Sequence, residues 1–268
     1  MWQRRTVTIQ EGAVAMLHAV AASLNASRDI MLQRIRLRIS FFVGMTLFLI
    51  TTAHADTLKP LLQNYEAEYS ISWMGVPVAS SVHQLIAMPN GQFLFEAKAA
   101  PFLTLLPYDY YESSLFKSSG NEIIPLEYIY DHQEGRKKKQ GKLFFNWSHL
   151  SVKDLLPNQP WQAPLPQGTQ DKYTNTLLLR RDLMAGKQHF SYSVVEGHEI
   201  KNYHYEIIGT ESLETDLGRL ETTKVQLVSG NRTTVLWMAK DFNYLLVKLI
   251  QYKNGSKILN GEIRRYSE

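Results

Sequence analysis

Carboxylates lie among tyrosines in the segment 108–131, where two of them could act together on a sugar bond. The set consists of Asp109, Glu112, Glu122 and Asp131. Two carboxyl groups that face each other across a cleft can hydrolyse a glycosidic bond. On a strand, however, Asp109 and Glu112 point to opposite faces because side chains alternate. We therefore interpret these residues as polar decoration of a sheet, and a carbohydrate-active hydrolase stays an alternative function.

Six histidines follow residue 55 and are the other side chains that could hold a metal or move a proton. They are His83, His132, His149, His189, His198 and His204. His198, Glu199 and His204 are residue types that bind zinc, but the two imidazoles would lie about 20 Å apart along an extended strand. We interpret His198 and His204 as surface residues and expect no metal site.

The sequence contains no cysteine, and it lacks the motifs of the common catalytic sites. The absence of cysteine excludes disulfides, thiolate metal ligands, a cysteine nucleophile and the lipidated cysteine of a bacterial lipoprotein. We find no nucleophile elbow, zinc-peptidase motif, P-loop or dinucleotide-binding glycine motif. We therefore predict that the protein is not an enzyme and uses no cofactor.

A cluster of positive charge marks the segment 136–142. It consists of Arg136, Lys137, Lys138, Lys139 and Lys142. Each basic residue near an anionic membrane contributes on the order of 1 kcal/mol of attraction, so the cluster is a candidate contact for a membrane or an acidic protein. Lysines on a strand also discourage edge pairing with other chains, and this structural role is the interpretation we favour.

The residues before 56 have the organisation of a secretory signal peptide. Three arginines between 34 and 38 precede twelve uncharged residues, 39–50, and Ala53 and Ala55 supply the small side chains that a signal peptidase needs. We expect cleavage after Ala55 and export to the periplasm. Because a signal peptide begins with its own basic region, we expect 31–55 to be the signal peptide and 1–30 a non-native upstream extension. Twelve residues are too few to cross a bilayer, which needs roughly twenty, so we expect no integral membrane protein after cleavage.

Removal of this leader also removes the excess positive charge. Residues 1–55 hold six Arg and two acids, which leaves 23 basic and 23 acidic residues of the chain's 29 and 25. A nucleic-acid-binding protein needs surplus Lys and Arg to displace counterions from phosphates. We therefore exclude nucleic acid as a partner.

Alternating apolar and polar residues predict strands through most of the chain after residue 64. The run 65–73 places apolar and aromatic side chains on one face and polar ones on the other. Asn90 and Gly91 predict a hairpin turn because both residues tolerate positive φ. Further strands are predicted over 78–88, 109–118, 123–130, 137–147, 188–195, 200–208, 220–228, 233–239, 245–252 and 258–266.

One helix is predicted, over 173–184, with Asp171 as its N-cap and Gly186 after its C-terminus. Four prolines within 156–166 predict a loop or linker before it. A dozen antiparallel strands would curl rather than stay flat. We predict a mainly β fold, a large curved antiparallel sheet (an open or half barrel) around one main helix, with 56–268 as a single domain.

Aromatic side chains recur at alternate positions of the predicted strands, as in Tyr128 and Tyr130 or Tyr203 and Tyr205. Most belong in the core because large rings bury the most area, but a sheet only partly filled by the helix would leave an apolar cavity. We predict a non-enzymatic binding module for a lipid or another apolar or cell-envelope ligand. The alternative is an envelope assembly or scaffold protein with a filled core and another envelope protein as its partner.

Four segments, in this order, resemble the exported bacterial proteins of the domain of unknown function 3108 family. They are 73–79 (WMGVPVA), 171–180 (DKYTNTLLLR), 209–218 (GTESLETDLG) and 235–241 (VLWMAKD). The resemblance spans nearly all of 64–266 and implies a predominantly β, exported protein of Gram-negative bacteria with no established activity, so no catalytic residue carries over. In that family a proline and a serine often follow the aspartate, where Lys172 and Thr174 stand here. We expect Asp171 to be an ordinary helix cap and Arg180 to be solvated.

Overall fold

The computed structural model describes residues 58–102, 108–156, 158 and 160–268. The predicted leader and upstream extension, 1–55, lie outside these residues, so the predictions about them stay predictions. The strands are β1 Tyr65–Trp73, β2 Val76–Ala87, β3 Gln92–Pro101, β4 Tyr108–Ser119, β5 Glu122–Glu134, β6 Lys137–Asn146, β7 Ser151–Asp154, β8 Gln162–Pro164, β9 Phe190–Glu196, β10 Glu199–Thr215, β11 Gly218–Ser229, β12 Arg232–Ala239, β13 Leu245–Lys253 and β14 Ser256–Ser267. The described part of the chain has one α-helix, α1 Lys172–Met184, and 3-10 turns at Lys59–Leu61 and Lys240–Phe242.

These fourteen strands form one antiparallel sheet, with the order β8-β7-β6-β5-β4-β3-β2-β1-β14-β13-β12-β11-β10-β9. Each half of the chain is a meander, and the two meanders join because β1 pairs with β14. The ends of the sheet are therefore β8 and β9, which flank α1 along the chain. The predicted mainly β fold, a large antiparallel sheet with one main helix, is confirmed.

Side-chain alternation gives the sheet an inner face, which packs on α1, and an outer face. Directly opposed residues of neighbouring strands share a face. One inner row runs across β2 to β6 through His83, Ala97, Glu112, Tyr130 and Gly141. Gly141 makes room for its neighbour, since a Cβ there would lie 2.2 Å from a ring carbon of Tyr130.

The helix ends at the predicted residue, Met184, and begins one residue before the predicted start, at Lys172. Asp171 Oδ1 accepts hydrogen bonds from the backbone N–H groups of Tyr173 and Thr174, at 2.9 and 3.0 Å. Thr174 Oγ1 accepts in return from the Asp171 N–H, which completes a capping box. Gly186 follows α1 in the left-handed region, with φ at +71°. Burial extends around most of the helix, as expected for a helix enclosed by a sheet.

The expectation of a solvated Arg180 is wrong, because only 4% of this residue is exposed. Its Nε and Nη2 donate to the backbone carbonyls of Asn243 and Phe242, at 3.1 and 3.3 Å. The guanidinium also lies over the ring of Tyr65, 5.7 Å from its centroid. Arg180 thus ties α1 to the turn between β12 and β13. Charge alone suggested solvation, but most residues of α1 are buried, Arg180 among them.

The proline-rich segment 156–166 is not only a loop, since it contains β8. This strand has three residues and ends at Pro164, which fits the restriction of proline to edge strands. After β8 the chain reaches β9 through Gln170. Its N–H donates to the carbonyl of Ser193 and its carbonyl accepts from the N–H of Val195, both at 2.8 Å.

A side-chain contact joins the same two regions farther along β9. His198, in the turn after β9, places Nε2 2.9 Å from Oδ2 of Asp154 on β7. Its ring stacks on Trp161 with centroids 5.2 Å apart. These contacts connect the two ends of the sheet, although β8 and β9 do not pair directly in the described strands.

The meander places alternate turns at the same end of the sheet. One end of the sheet, which we call the hairpin end, carries the turns β1–β2, β5–β6, β9–β10, β11–β12 and β13–β14. The β4–β5 and β12–β13 turns lie at the other end, and α1 contacts both: Arg181 donates to the carbonyl of Asn121, and Arg180 to that of Asn243. Within the described residues, no helix has the length and apolar character to cross a membrane.

Candidate functional site

A buried carboxylate lies on the inner face of β4. The side chain of Glu112 is 2% exposed, and its Oε2 accepts a hydrogen bond from Lys172 Nζ at 2.7 Å. On the other side, His132 Nε2 of β5 lies 2.8 Å from Glu112 Oε1. Lys172 is the first residue of α1, so the cap at Asp171 fixes its position above β4. We call Tyr110, Glu112, His132 and Lys172 the Glu112 cluster.

The electrostatics of the cluster favour a charged pair. Burial alone would raise the pKa of Glu112, but the Lys172 ammonium, its hydrogen bond and the close contact of His132 outweigh burial and hold that pKa well below 4.5. Partial desolvation disfavours the ammonium as well, yet Glu112 and Tyr110 raise the pKa of Lys172 above 10.5. Glu112 is therefore ionised and Lys172 protonated at neutral pH. An uncharged amine is the form that attacks carbonyl groups, so this lysine is suited to binding rather than to nucleophilic attack.

Lys172 remains accessible despite its buried partner. Its side chain is 51% exposed, and its Nζ also donates to the hydroxyl of Tyr110 at 2.7 Å. The ammonium lies over the rings of Tyr110 and Tyr173, 5.4 and 5.2 Å from their centroids. An ammonium has three N–H donors, and Glu112 and Tyr110 are its two hydrogen-bond partners within the described residues. The third donor is available for a bound group.

A continuous series of aromatic rings, which we call the aromatic band, leads to the cluster and includes its Tyr110 and His132. In order of contact its rings are Tyr69, His83, Phe95, Tyr173, Tyr128, Tyr130, His132 and Tyr110, with successive centroids 4.3–6.3 Å apart. The rings of Tyr110 and His132 are nearly parallel, 4.4 Å apart. Four members, His83, Tyr110, Tyr130 and His132, are only partly buried. The band thus presents ring surface beside the open side of Lys172.

The rings of the band that lie outside the cluster are uncharged at neutral pH. Burial, reinforced by the nearby Lys172, lowers the pKa of His83 to about 4, so this imidazole is neutral at neutral pH. Burial raises the pKa of Tyr128 and Tyr173 well above 10, so both phenols stay protonated. Ring faces beside one fixed ammonium can hold an apolar group and orient an attached anion.

A second buried polar pair lies below the cluster. The hydroxyl of Ser114 donates to Oδ2 of Asp171 at 2.6 Å. Both residues are fully buried, so the serine has no access to a substrate from solvent. The pair instead fixes the N-cap of α1 against β4, and through it the position of Lys172.

The four carboxylates singled out from the sequence are not brought together. Glu112 is on the inner face, whereas Asp109 and Asp131 share the outer face of β4 and β5 through their register. Glu122 also lies on the outer side, opposite Ser119 at the start of β5. Their interpretation as polar decoration is wrong for Glu112, which is buried on the face of the sheet that packs on α1.

The histidines divide between the inner face and the surface. His149, His189 and His204 are exposed, which confirms the surface interpretation for His204. His198 is partly buried against Asp154 and Trp161, and the rings of His83 and His132 pack into the aromatic band. The described residues contain no group of three or more side chains suited to hold a metal ion.

The basic cluster of Arg136, Lys137, Lys138, Lys139 and Lys142 occupies the β5–β6 hairpin and the strand after it. Lys138 lies 3.6 Å from Asp131, and Lys142 lies 3.1 Å from Glu127. In the described part of the chain, the other three basic residues form no ion pair, and all three are exposed. A membrane or acidic-partner contact at this hairpin stays a prediction.

Sequence reasoning missed Lys172 as a site residue. Its position in the first helical turn was predicted, but a helix start gives no information on which strand it faces. One signal pointed to it: Lys172 stands where the resembled family often has proline. Glu112 was identified, but its ion pair joins residues 60 positions apart, and no local pattern encodes that distance.

Similarity to known proteins supports the fold and defines the family. The crystal structure of a β-barrel-like protein of domain of unknown function DUF1849 from Brucella abortus superposes with a TM-score of 0.55 at 10% sequence identity, covering 77% of this chain and 98% of that chain. At that identity the likeness concerns the fold alone. No curated protein matches the chain in sequence. The family described as protein of unknown function (DUF3108) matches residues 68–262, and the chain therefore belongs to that family.

Proposed function

We propose that this protein is an exported, non-enzymatic binding protein of the bacterial envelope that holds an apolar ligand carrying an anionic group. The ligand's apolar part packs on the aromatic band, and its anionic group accepts a hydrogen bond from Lys172. The observation that carries the proposal is the half-exposed ammonium of Lys172, held in place by the buried carboxylate of Glu112.

The polarity of the site supports an anionic group rather than a cationic one. The only fixed anion of the cluster, Glu112, is 2% exposed and faces Lys172 and His132. A ligand therefore meets N–H donors and ring faces, while the carboxylate is behind them. A hydrogen bond to a charged donor contributes roughly 1.5–3 kcal/mol, and the half exposure of Lys172 places it at the lower end of that range.

A crevice elsewhere in the described residues is too small for such a ligand. It measures about 50 Å³ and is lined by Leu213, Lys248 and Ile263 among others. Ligand sites occupy roughly 300–1,000 Å³, so this crevice suits a few water molecules at most.

Export rests on the organisation of 31–55, and N-terminal sequencing of the protein expressed in a Gram-negative host tests it. We expect the processed chain to begin at Asp56. A chain that retains Met1, Trp2 or Met31 as its N-terminus after fractionation would overturn the export proposal.

Native mass spectrometry tests the binding proposal with a matched pair of variants. Lys172→Met removes the proposed ligand contact. Lys187→Met removes a lysine with the same 51% exposure and the same type of partner, the buried Asp182, at the other end of α1. We expect wild type and Lys187→Met to carry a co-purifying ligand of one chemical class, and Lys172→Met to lose most of it. Circular dichroism checks that all three are folded.

Two outcomes would contradict the proposal. A ligand-free mass for folded wild-type protein would count against a carrier and favour the envelope-assembly alternative. Equal ligand occupancy in both lysine variants would show that Lys172 is not the contact.

A further inference from the structure

Three neighbouring hairpin turns form one continuous surface at the hairpin end of the sheet. They connect β1 to β2, β11 to β12 and β13 to β14, and their strands are adjacent in the sheet. The Met74 N–H donates to the carbonyl of Ile258 at 3.0 Å, and the Asn254 N–H donates to that of Asn231 at 2.9 Å. These hydrogen bonds link the three turns, which we call the tip.

Large apolar side chains are exposed on the tip. Trp73 is 46% exposed, Met74 71% and Val76 62%, all in or beside the β1–β2 turn. Phe102, 54% exposed, lies next to the tip because its N–H donates to the carbonyl of Val78 at 2.9 Å. Val228, beside the β11–β12 turn, is 57% exposed, but the register places it on the other face of the sheet from Trp73. Exposed apolar groups that cluster on a surface, as they do around the β1–β2 turn, mark a site of interaction.

The charges around these side chains are of one sign. Arg232, Lys253 and Lys257 are all exposed at the tip. The segments 72–78, 228–234 and 251–259, which build it, contain no Asp or Glu. Arg232 donates to the uncharged side chain of Gln251 at 2.7 Å, and no ion pair involves these three basic residues in the described part of the chain. The positive charge is therefore not neutralised locally.

We propose that the tip docks on a membrane surface that contains anionic lipid. Trp73, Met74 and Val76 enter the headgroup region, where tryptophan is enriched in membrane proteins, while the three basic residues contact lipid phosphates. Stable peripheral binding needs an apolar and an electrostatic contribution together, and the tip supplies both. Its apolar groups project from hairpin turns rather than lining a groove, which favours a fluid interface over a folded protein partner. The proposal does not depend on the ligand site.

Single-cysteine labelling gives a test specific to the tip, because the chain has no native cysteine. The environment-sensitive dye NBD is attached at Met74→Cys, and, as the matched control, at Asn90→Cys in the β2–β3 turn at the opposite end of the sheet. Each labelled full-length chain is mixed with vesicles of phosphatidylethanolamine and phosphatidylglycerol, or with phosphatidylcholine vesicles. A position-specific dye reports the tip even where another part of the chain also binds lipid.

We expect a blue shift and a rise in NBD emission at position 74 with the phosphatidylglycerol vesicles, and little change at position 90. Each basic residue gives roughly a fivefold gain in partitioning to an anionic surface. The double variant Lys253→Glu, Lys257→Glu should therefore partition at least about 25-fold more weakly to the phosphatidylglycerol vesicles, as measured by the dye at position 74. Equal responses at 74 and 90, or an unchanged response in the charge-reversed variant, would overturn the proposal. Binding of the tip to soluble polyglutamate without any shift on vesicles would assign it to an acidic protein instead and would also overturn it.

Discussion

Replacement of Glu112 by glutamine tests the electrostatic core of the candidate site. Glutamine keeps the size of the side chain but removes the charge that pairs with Lys172 and His132. A hydrogen bond to a charged group contributes roughly 1.5–3 kcal/mol. The partners are 51% and 31% exposed, so solvent screening places both interactions at the lower end. Because an amide is also cheaper to bury than a carboxylate, we expect a net loss of about 2 kcal/mol in the free energy of unfolding at pH 7.

The loss should depend on pH in a defined direction. The folded-state pKa of Glu112 lies well below its ordinary value of 4.5, so the stabilisation by the carboxylate is fully present above pH 4.5. It declines as the pH falls through the interval between 4.5 and the depressed folded-state pKa. The difference between wild type and Glu112→Gln should therefore persist from pH 7 to 5 and shrink below about pH 4.5.

Urea denaturation followed by tryptophan fluorescence, from pH 3 to 7, measures this difference. Glu221→Gln, at an exposed position of β11, is the control and should change stability by less than about 0.5 kcal/mol. A Glu112→Gln variant as stable as wild type at pH 7 would refute the charged pair. A stability loss that stays the same down to pH 3 would refute the depressed pKa.

Three other substitutions test the elements that position the site, each by urea denaturation. Asp171→Ala should lower the free energy of unfolding by about 1–2 kcal/mol because it removes the cap of α1, whereas Asp171→Asn should retain most of the stability because asparagine also caps helices. Equal losses in the two variants would contradict the capping role. Gly141→Ala should lower the free energy of unfolding by about 1–3 kcal/mol because the new methyl group would lie 2.2 Å from the Tyr130 ring. Gly261→Ala, where the nearest atom is 3.4 Å away, should lower it less. The reverse order of the two losses would contradict the packing. Arg180→Met should lower the free energy of unfolding by about 2 kcal/mol because it leaves the carbonyls of Phe242 and Asn243 without their donor. An unchanged stability would show that Arg180 does not hold α1 in place.

Local patterns in the sequence predicted most of the elements. The strands alternate because one face of each is buried, and Asn90-Gly91 forms the turn between β2 and β3. The helix was predicted because capping is a local interaction of Asp171 with the next three residues. Edge strand β8 was missed, since its three residues lie among prolines and pair only with β7.

The candidate site depended on information that local patterns do not contain. Alternation separates Glu112 from Asp109 but does not say which face the helix covers. Arg180 was expected in solvent because charge usually marks an exposed position, yet α1 is enclosed on nearly every side. The contact of Lys172 with Glu112 requires the register of β4 against α1, which depends on the fold of the whole chain.

The affinity of the protein for hexadecanoate, measured by isothermal titration calorimetry at neutral pH, shows whether Lys172 binds the anionic group of an apolar ligand. We expect Lys172→Met to weaken binding about tenfold or more, equivalent to roughly 1.4 kcal/mol, and Lys187→Met to bind as wild type does. The uncharged analogue hexadecanol should bind wild type and Lys172→Met alike. Equal affinities of wild type and Lys172→Met for hexadecanoate, or an equal loss in both lysine variants, would contradict the assignment of Lys172 as the contact for the anionic group.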